Sequence, residues 1–202
     1  MKHSLVALPL VLLLAACRTS PPTHFITLSP VSPVGHAEAA PSPPIPVDLV
    51  HLPAVLDRDA VVRQTGANSL SIDDQTRWGA PLGEMTRNVL AEDLARRMPP
   101  GAVILPDAPS PPSARHLVVT ISVFREESHQ LVKLEGSWAV LEGEPPKTVR
   151  AHDINLACTA ANTSYDTQAA AVSRLLGLLA DQIASEDDPP PAINFDHARQ
   201  SP

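Results

Sequence analysis

Glycine, aromatic side chains, cysteine and positive charge are all scarce in this sequence, and each shortage weighs against a class of function. Its 202 residues hold 8 Gly, 3% aromatics and 2 Cys, with 15 Lys plus Arg against 22 Asp plus Glu for a formal charge of -7. No stretch reads as a Walker A loop, a dinucleotide fingerprint, G-x-S-x-G or H-E-x-x-H. Nucleic acid is a poor partner for such a chain, because affinity for it comes largely from neutralising phosphates with clustered Lys and Arg. Without a CxxC pair a cysteine-rich metal fold is disfavoured, and the 8 His are scattered without a ligand spacing. Proline is abundant instead, with 23 residues that come in bursts. One modest domain, shorter than the full count, is the expectation.

The first residues look like an export signal. Lys2 gives a small positive region, and Leu5 to Leu14 form an apolar run broken only by Pro9. A bilayer needs roughly 20 apolar residues to cross, and Arg18 interrupts this run too soon. The run ends in Leu14-Ala15-Ala16-Cys17, which resembles the bacterial lipobox, whose cysteine thiol receives a diacylglycerol. The sequence thus predicts a signal peptide over 1–16 and a lipid-anchored N-terminus over 17–21, with Cys17 as the lipidation site. An uncleaved anchor and a Cys17 to Cys158 disulfide are the competing readings. If Cys17 carries lipid, Cys158 is left a lone thiol that packs as a small hydrophobe. Several acyl chains would hold the domain firmly at the membrane without embedding it. Arg18 stands where lipoproteins kept at the inner membrane of many proteobacteria resemble one another in having Asp, which points to the outer membrane.

Between Pro21 and Pro53 the prolines are dense, and 30–46 reads as a proline-rich loop. His24 to Leu28 and Pro46 to Leu52 are apolar enough for short extended segments, expected at an edge rather than as a central ladder strand. Ala60 to Gln64 and Ser69 to Ile72 suggest a hairpin around Gly66 and Asn68. Leu82, Met85, Val89, Leu90, Leu94 and Met98 recur at helical spacing and predict a helix over 81–98, opened by Pro81 and closed by Pro99-Pro100-Gly101. Val103 to Leu105 can add a short strand. Leu117, Val119, Ile121 and Val123 alternate with their neighbours, as do Val132, Leu134, Gly136, Trp138 and Val140, and a third strand from Lys147 to Leu156 completes a meander. Asp166 is placed to cap a final helix lined by Ala169, Val172, Leu176, Leu179 and Ile183. The acidic, proline-containing residues 186–202 read as a disordered tail unless Ile193 and Phe195 dock. These elements predict a two-layer α+β domain over 22–185, a largely antiparallel sheet with two main helices packed on one face.

Candidate chemistry is thin. Asp57, Arg58 and Asp59 could be cast as acid, base and anion clamp, but three adjacent charges after Val55 and Leu56 more often make a turn. His51 and His152 could meet as a metal pair, yet no third ligand offers itself. No catalytic residue, metal or cofactor is assigned. Trp138, inside its alternating strand, reads as core; Trp78 reads as core or interface, with Arg77 facing outward.

In order along the chain, Leu14-Ala15-Ala16-Cys17, His24-Phe25-Ile26-Thr27-Leu28, Leu52-Pro53 followed by Leu56-Asp57-Arg58, and Arg77-Trp78 with Pro81-Leu82 resemble the ABC-type transport auxiliary lipoprotein family, the group that contains the lipoprotein of the paraquat-inducible, MCE-type operon. Phe124 ending a strand and the alanine-rich last helix extend the resemblance to about Ser185. It departs where relatives often show tyrosine for His24, and at Asp59-Ala60, where a proline often follows the arginine. The resemblance implies a passive, non-enzymatic domain tethered at the outer membrane and facing the periplasm, beside an MCE-domain protein, a permease and an ATPase that move lipids or other hydrophobic compounds. It implies self-association as a homo-oligomer and makes Asp57, Arg58, Arg77 and Trp78 candidates for framework or interface. A periplasmic lipid-binding module is the alternative, and an apolar cavity between the final helix and the sheet would mark it.

Overall fold

Alternating apolar residues build the strands and helical spacing builds the helices. The computed structural model describes residues 22–33, 43–66, 68–112, 114–126 and 130–187. Along them run β1 (His24–Ile26), β2 (Ile45–His51), β3 (Ala60–Gly66), β4 (Ser69–Trp78), α1 (Leu82–Ala95), β5 (Val103–Ile104), β6 (His116–Glu126), β7 (Leu131–Glu142), β8 (Lys147–Thr159) and α2 (Tyr165–Asp187). Cys17, the proposed lipidation site, lies outside the described residues, as do 34–42 of the proline-rich loop and 188–202 of the tail.

Two sheets form, one in the order β5-β2-β6-β7-β8 and a smaller one in the order β1-β4-β3. The meander is as expected: β6, β7 and β8 pair antiparallel. Leu117, Val119, Leu134 and Trp138 point from it into the core, where they are at most 1% exposed. Against them pack the apolar stripes of both helices, with Leu90, Leu94, Leu175, Leu176 and Leu179 fully buried. The result is the two-layer α+β domain, although its sheet is more mixed than expected, since β2 runs parallel to both β5 and β6 and β1 runs parallel to β4.

β2 is the main correction. The proline-dense region does supply an inner strand, because its one proline sits where the ladder can spare a donor. Pro46 lies one residue into β2 and pairs only with Ile104 of two-residue β5, while pairing to β6 begins at Val47. The meander strands are also longer than expected: β8 extends to Thr159, and Cys158 near its end is half-buried with its Sγ donating to the Ala171 carbonyl at 3.3 Å. Burial pushes the Cys158 thiol up from its ordinary value, against the pull of Arg174. In β6 the inward alternation stops short, because a bulge between Ile121 and Val123 brings Phe124 toward the core.

The ends of both helices differ from expectation. α2 is preceded by Ser164, whose Oγ accepts from the Thr167 N–H at 3.4 Å, and Asp166 lies in the first turn, where it meets His24 at 3.1 Å. α1 begins at Leu82 and ends at Ala95, with Arg96 rather than Met98 closing it. Pro81 precedes the helix with no side chain to offer its free N–H groups, and the acceptor comes from a distant loop: the Gly83 N–H donates to Asp57 Oδ1 at 3.1 Å. Asp57→Ala should therefore lower stability by about 1 kcal/mol, as loss of an N-cap does, and a urea titration with Asp57→Asn as the conservative partner checks it.

Candidate functional site

The four candidate framework residues converge on the start of α1. Asp57 and Arg58 lie in the turn after β2, where the Arg58 N–H donates to the Leu56 carbonyl at 2.9 Å and the Arg58 side chain is exposed. Arg77 and Trp78 end β4. The Trp78 N–H donates to the Asp59 carbonyl at 2.7 Å, its indole is buried, and Arg77 points outward as expected. With its carboxylate receiving a helix N–H, Asp57 is employed as a cap. The sheet does not bring His51 and His152 together, since β6 and β7 lie between β2 and β8; His152 stacks on Trp138, ring centroids 4.9 Å apart, and no group of three metal-ligating side chains is gathered among the described residues.

Beneath Trp78 lies a small apolar hollow of about 60 Å³, where β1, β3 and β4 meet the first turns of α2 and the ends of β6 and β7. Ile26, Val61, Phe124 and Val132 wall it, and at its polar side the Arg63 guanidinium lies 4.7 Å from the centre of the Tyr165 ring and donates to the Thr163 carbonyl at 3.0 Å. Its volume is well below the roughly 300 Å³ at which ligand pockets begin.

A second concavity of about 140 Å³ opens on the outside of the hairpin, lined by Pro53, Val55, Gln64, Leu70, Val123 and Phe124. Val55 and Leu70 in its lining are 39% and 48% exposed, and Ile72, two residues along β4 from Leu70, is 46% exposed. Leu70 pairs with Gln64 and Ile72 with Val62 across the hairpin, which collects apolar side chains on one rim. This is the feature that reading the sequence missed. The signal was present in the alternation of Leu70 and Ile72 with Ser69 and Ser71, but alternation leaves open which face meets the core.

Further along β4, the Asp73 carboxylate gathers the N–H groups of Gln75, at 2.8 Å, and Thr76. The Thr76 N–H holds the Asp73 carboxyl below its ordinary 3.8, with help from Gln75 and Tyr165 and against desolvation. A depressed carboxyl stabilises the fold above the unfolded value and loses that contribution as pH falls through the folded one. The Asp73 carboxyl carbon should accordingly titrate below 3.8 by NMR, and the Gln75 and Thr76 amides should lose exchange protection across the same interval. Titration at or above the ordinary value would show that these bonds do not hold in solution.

Among the described residues no helix is long and apolar enough to cross a membrane. The family model described as ABC-type transport auxiliary lipoprotein component matches residues 27–184. Two solved structures share the fold. One, titled only as an uncharacterized protein, superposes with a TM-score of 0.68 at 19% identity over 82% of this chain and 99% of its own. The other, a Xanthomonas campestris protein of family DUF330, gives a TM-score of 0.63 at 13% identity over 79% of this chain and 91% of its own. No curated protein matches the sequence.

Proposed function

The chain belongs to the ABC-type transport auxiliary lipoprotein component family, and from that premise we propose that it is the lipid-anchored docking component of an MCE-type system, tethered by Cys17 to the outer membrane and facing the periplasm. Membership makes it a non-catalytic accessory of ABC-type transport, which accords with the structural employment of Asp57 and Trp78. The observation that carries the docking role is the apolar rim of the β3–β4 hairpin. Val55, Leu70 and Ile72 leave water only when something covers them, and Val55 and Leu70 line a concavity that one or two partner side chains fill. The partner is the MCE-domain protein, with a permease and an ATPase behind it, and copies of the lipoprotein assemble around that protein as a homo-oligomer. A lipid-binding module fits less well, because the hollow between α2 and the sheet holds only about 60 Å³, and the larger concavities, of about 480 and 420 Å³, lie open on the surface.

The test pairs docking with stability. Leu70→Asp with Ile72→Asp should abolish co-purification of the MCE-domain protein with the membrane-extracted chain. Its urea midpoint should barely move, since exposed substitutions usually change stability by about 0.5 kcal/mol or less. Undiminished co-purification would place the dock elsewhere. Mass spectrometry of the mature N-terminus reports separately on Cys17: a diacylated cysteine is expected, and an intact leader or a disulfide to Cys158 overturns the anchor.

A further inference from the structure

Resting on the anchoring reading above, we propose that the outer side of β1 and the end of β4, centred on Phe25 and Arg77, lie against the phospholipid headgroup layer that holds the Cys17 acyl chains. Phe25 is 64% exposed, more than any other large apolar side chain among the described residues. It cannot turn inward. On β1 the side chains of His24 and Ile26 take the inner side, toward Asp166 of α2 and the buried hollow, and alternation sends Phe25 out. Its register partner on β4 is Arg77, also exposed, and the two border a shallow depression with Thr23, Asp59, Gly79 and Pro81. An aromatic ring beside a guanidinium suits a bilayer interface, where the ring enters the headgroup level and the guanidinium meets phosphate. Asp59 is the acidic exception in that depression, while Arg58 is exposed just before it.

Chain length selects the membrane over other partners. From Cys17 to Phe25 is eight residues, which fully extended span at most about 28 Å, and the chain enters the fold along β1, which among the described strands is an edge paired with β4. The other pole is out of reach. α2 starts beside His24 and runs for 23 residues, roughly 34 Å, away from it, and β7 carries the meander a comparable distance to the start of β8, where Val149 lies. A tether this short keeps β1 at the surface, so even a weak contact is made intramolecularly and at high effective concentration. The docking rim at Leu70 lies toward the other end of β4 from Arg77, since Leu70 pairs with Gln64 and Arg77 with Ala60, four residues or about 13 Å along β3, and it stays free for a protein partner.

The experiment uses the full, lipidated chain in nanodiscs of phosphatidylethanolamine and phosphatidylglycerol. Cys158→Ser leaves one reactive thiol at a time, placed by Phe25→Cys or by Val149→Cys and labelled with an environment-sensitive fluorophore. The expected result is a blue-shifted emission at position 25 that headgroup spin-labelled lipid quenches several-fold more strongly than at 149. Equal, weak quenching at both positions in a chain whose mass shows a lipidated Cys17 overturns the orientation alone. So does a label at 25 that is shielded from aqueous iodide yet untouched by the spin-labelled lipid, the signature of a second copy covering Phe25. An unmodified Cys17 overturns the anchor and this inference together.

Discussion

Replacing Gly136 by alanine should cost the domain about 3 kcal/mol or more, at the upper end of what overpacking does. Gly136 sits in the middle of β7, opposite Ile121 on β6 and Ile154 on β8. A Cβ built there falls 2.0 Å from the Thr120 carbonyl oxygen and 3.0 Å from the Ile121 Cα. Both obstacles are backbone, held by a ladder on either side, so no side-chain rotation relieves the clash. The cause is the bulge between Ile121 and Val123, which lets the β6 backbone press toward β7 where a side chain would otherwise stand. Since a domain of this size is stable by about 5–15 kcal/mol in total, the loss removes a large share. Urea unfolding of Gly136→Ala checks it, with Gly101→Ala as the contrast. At Gly101 no atom lies within 4 Å of a built Cβ, and the penalty comes only from a φ of 84°. Equal midpoints for the Gly136 variant and the parent would mean that the bulge gives way.

Comparable losses, about 3–5 kcal/mol, are expected when either half of the Asp93–Arg97 pair is removed alone. Both side chains are buried between the helices, Asp93 completely and Arg97 to within 4%. Asp93 Oδ1 accepts from the Val31 N–H at 2.7 Å and from Arg97 Nη1 at 3.3 Å. Arg97 in turn donates to the Val31 carbonyl at 3.0 Å and, through Nε, to Asp181 Oδ1 at 2.6 Å. One residue of the strap leading from β1 is thus held by its N–H and its C=O together, and Gly177 of α2 gives it room, with a built Cβ there only 3.2 Å from Val31 Cβ. Asp93→Ala leaves Arg97 and the Val31 N–H short of an acceptor in a dry place; Arg97→Met leaves a buried carboxylate. Asp93→Leu with Arg97→Met should recover much of the stability yet lose exchange protection at the Val31 amide, because the strap has then lost both partners. If the double variant is as unstable as the singles, the pair is not the source of the cost.

The pH behaviour of this pair has a definite sign. Burial pushes the Asp93 carboxyl above its ordinary 3.8, more than the Val31 N–H and Arg97 pull it down. A carboxyl raised in the folded state makes its best contribution below the unfolded value and loses it as pH rises toward the folded one. Measured against Asp93→Asn, the parent should therefore lose relative stability as pH climbs upward from about 3.8, the opposite course to that of Asp73.

Reading the residues reached the meander, both helices and the burial of Trp138, because each is written as a period that repeats within a short window. It placed Asp57, Arg58, Arg77 and Trp78 together as candidates but gave them no work. The work became visible when Asp57 proved to serve the Gly83 N–H, a bond between a turn and a helix separated by β3 and β4. The N-terminal partner of α1 is illegible in the chain for the same reason: Pro81 suits a first turn, yet it carries no acceptor, and nothing near it in the chain supplies one. The inner place of β2 is not legible in the chain, because proline counts are local while the cost of a missing N–H depends on which neighbour would have accepted it.

By itself, then, the sequence determined the two-layer α+β class, the order of the second-half strands and the kinship to transport lipoproteins, all of which rest on periodicity or on motifs kept in linear order. Tertiary structure decided the rest: the parallel insertion of β2, the loan of Asp57 to α1, the grip of Asp93 and Arg97 on Val31, and the outward rims of Leu70 and Phe25. Those depend on which distant groups meet after the chain has closed its long loops, and on which face of each strand the helices cover. Such facts belong to packing and to burial, and no window of residues contains them.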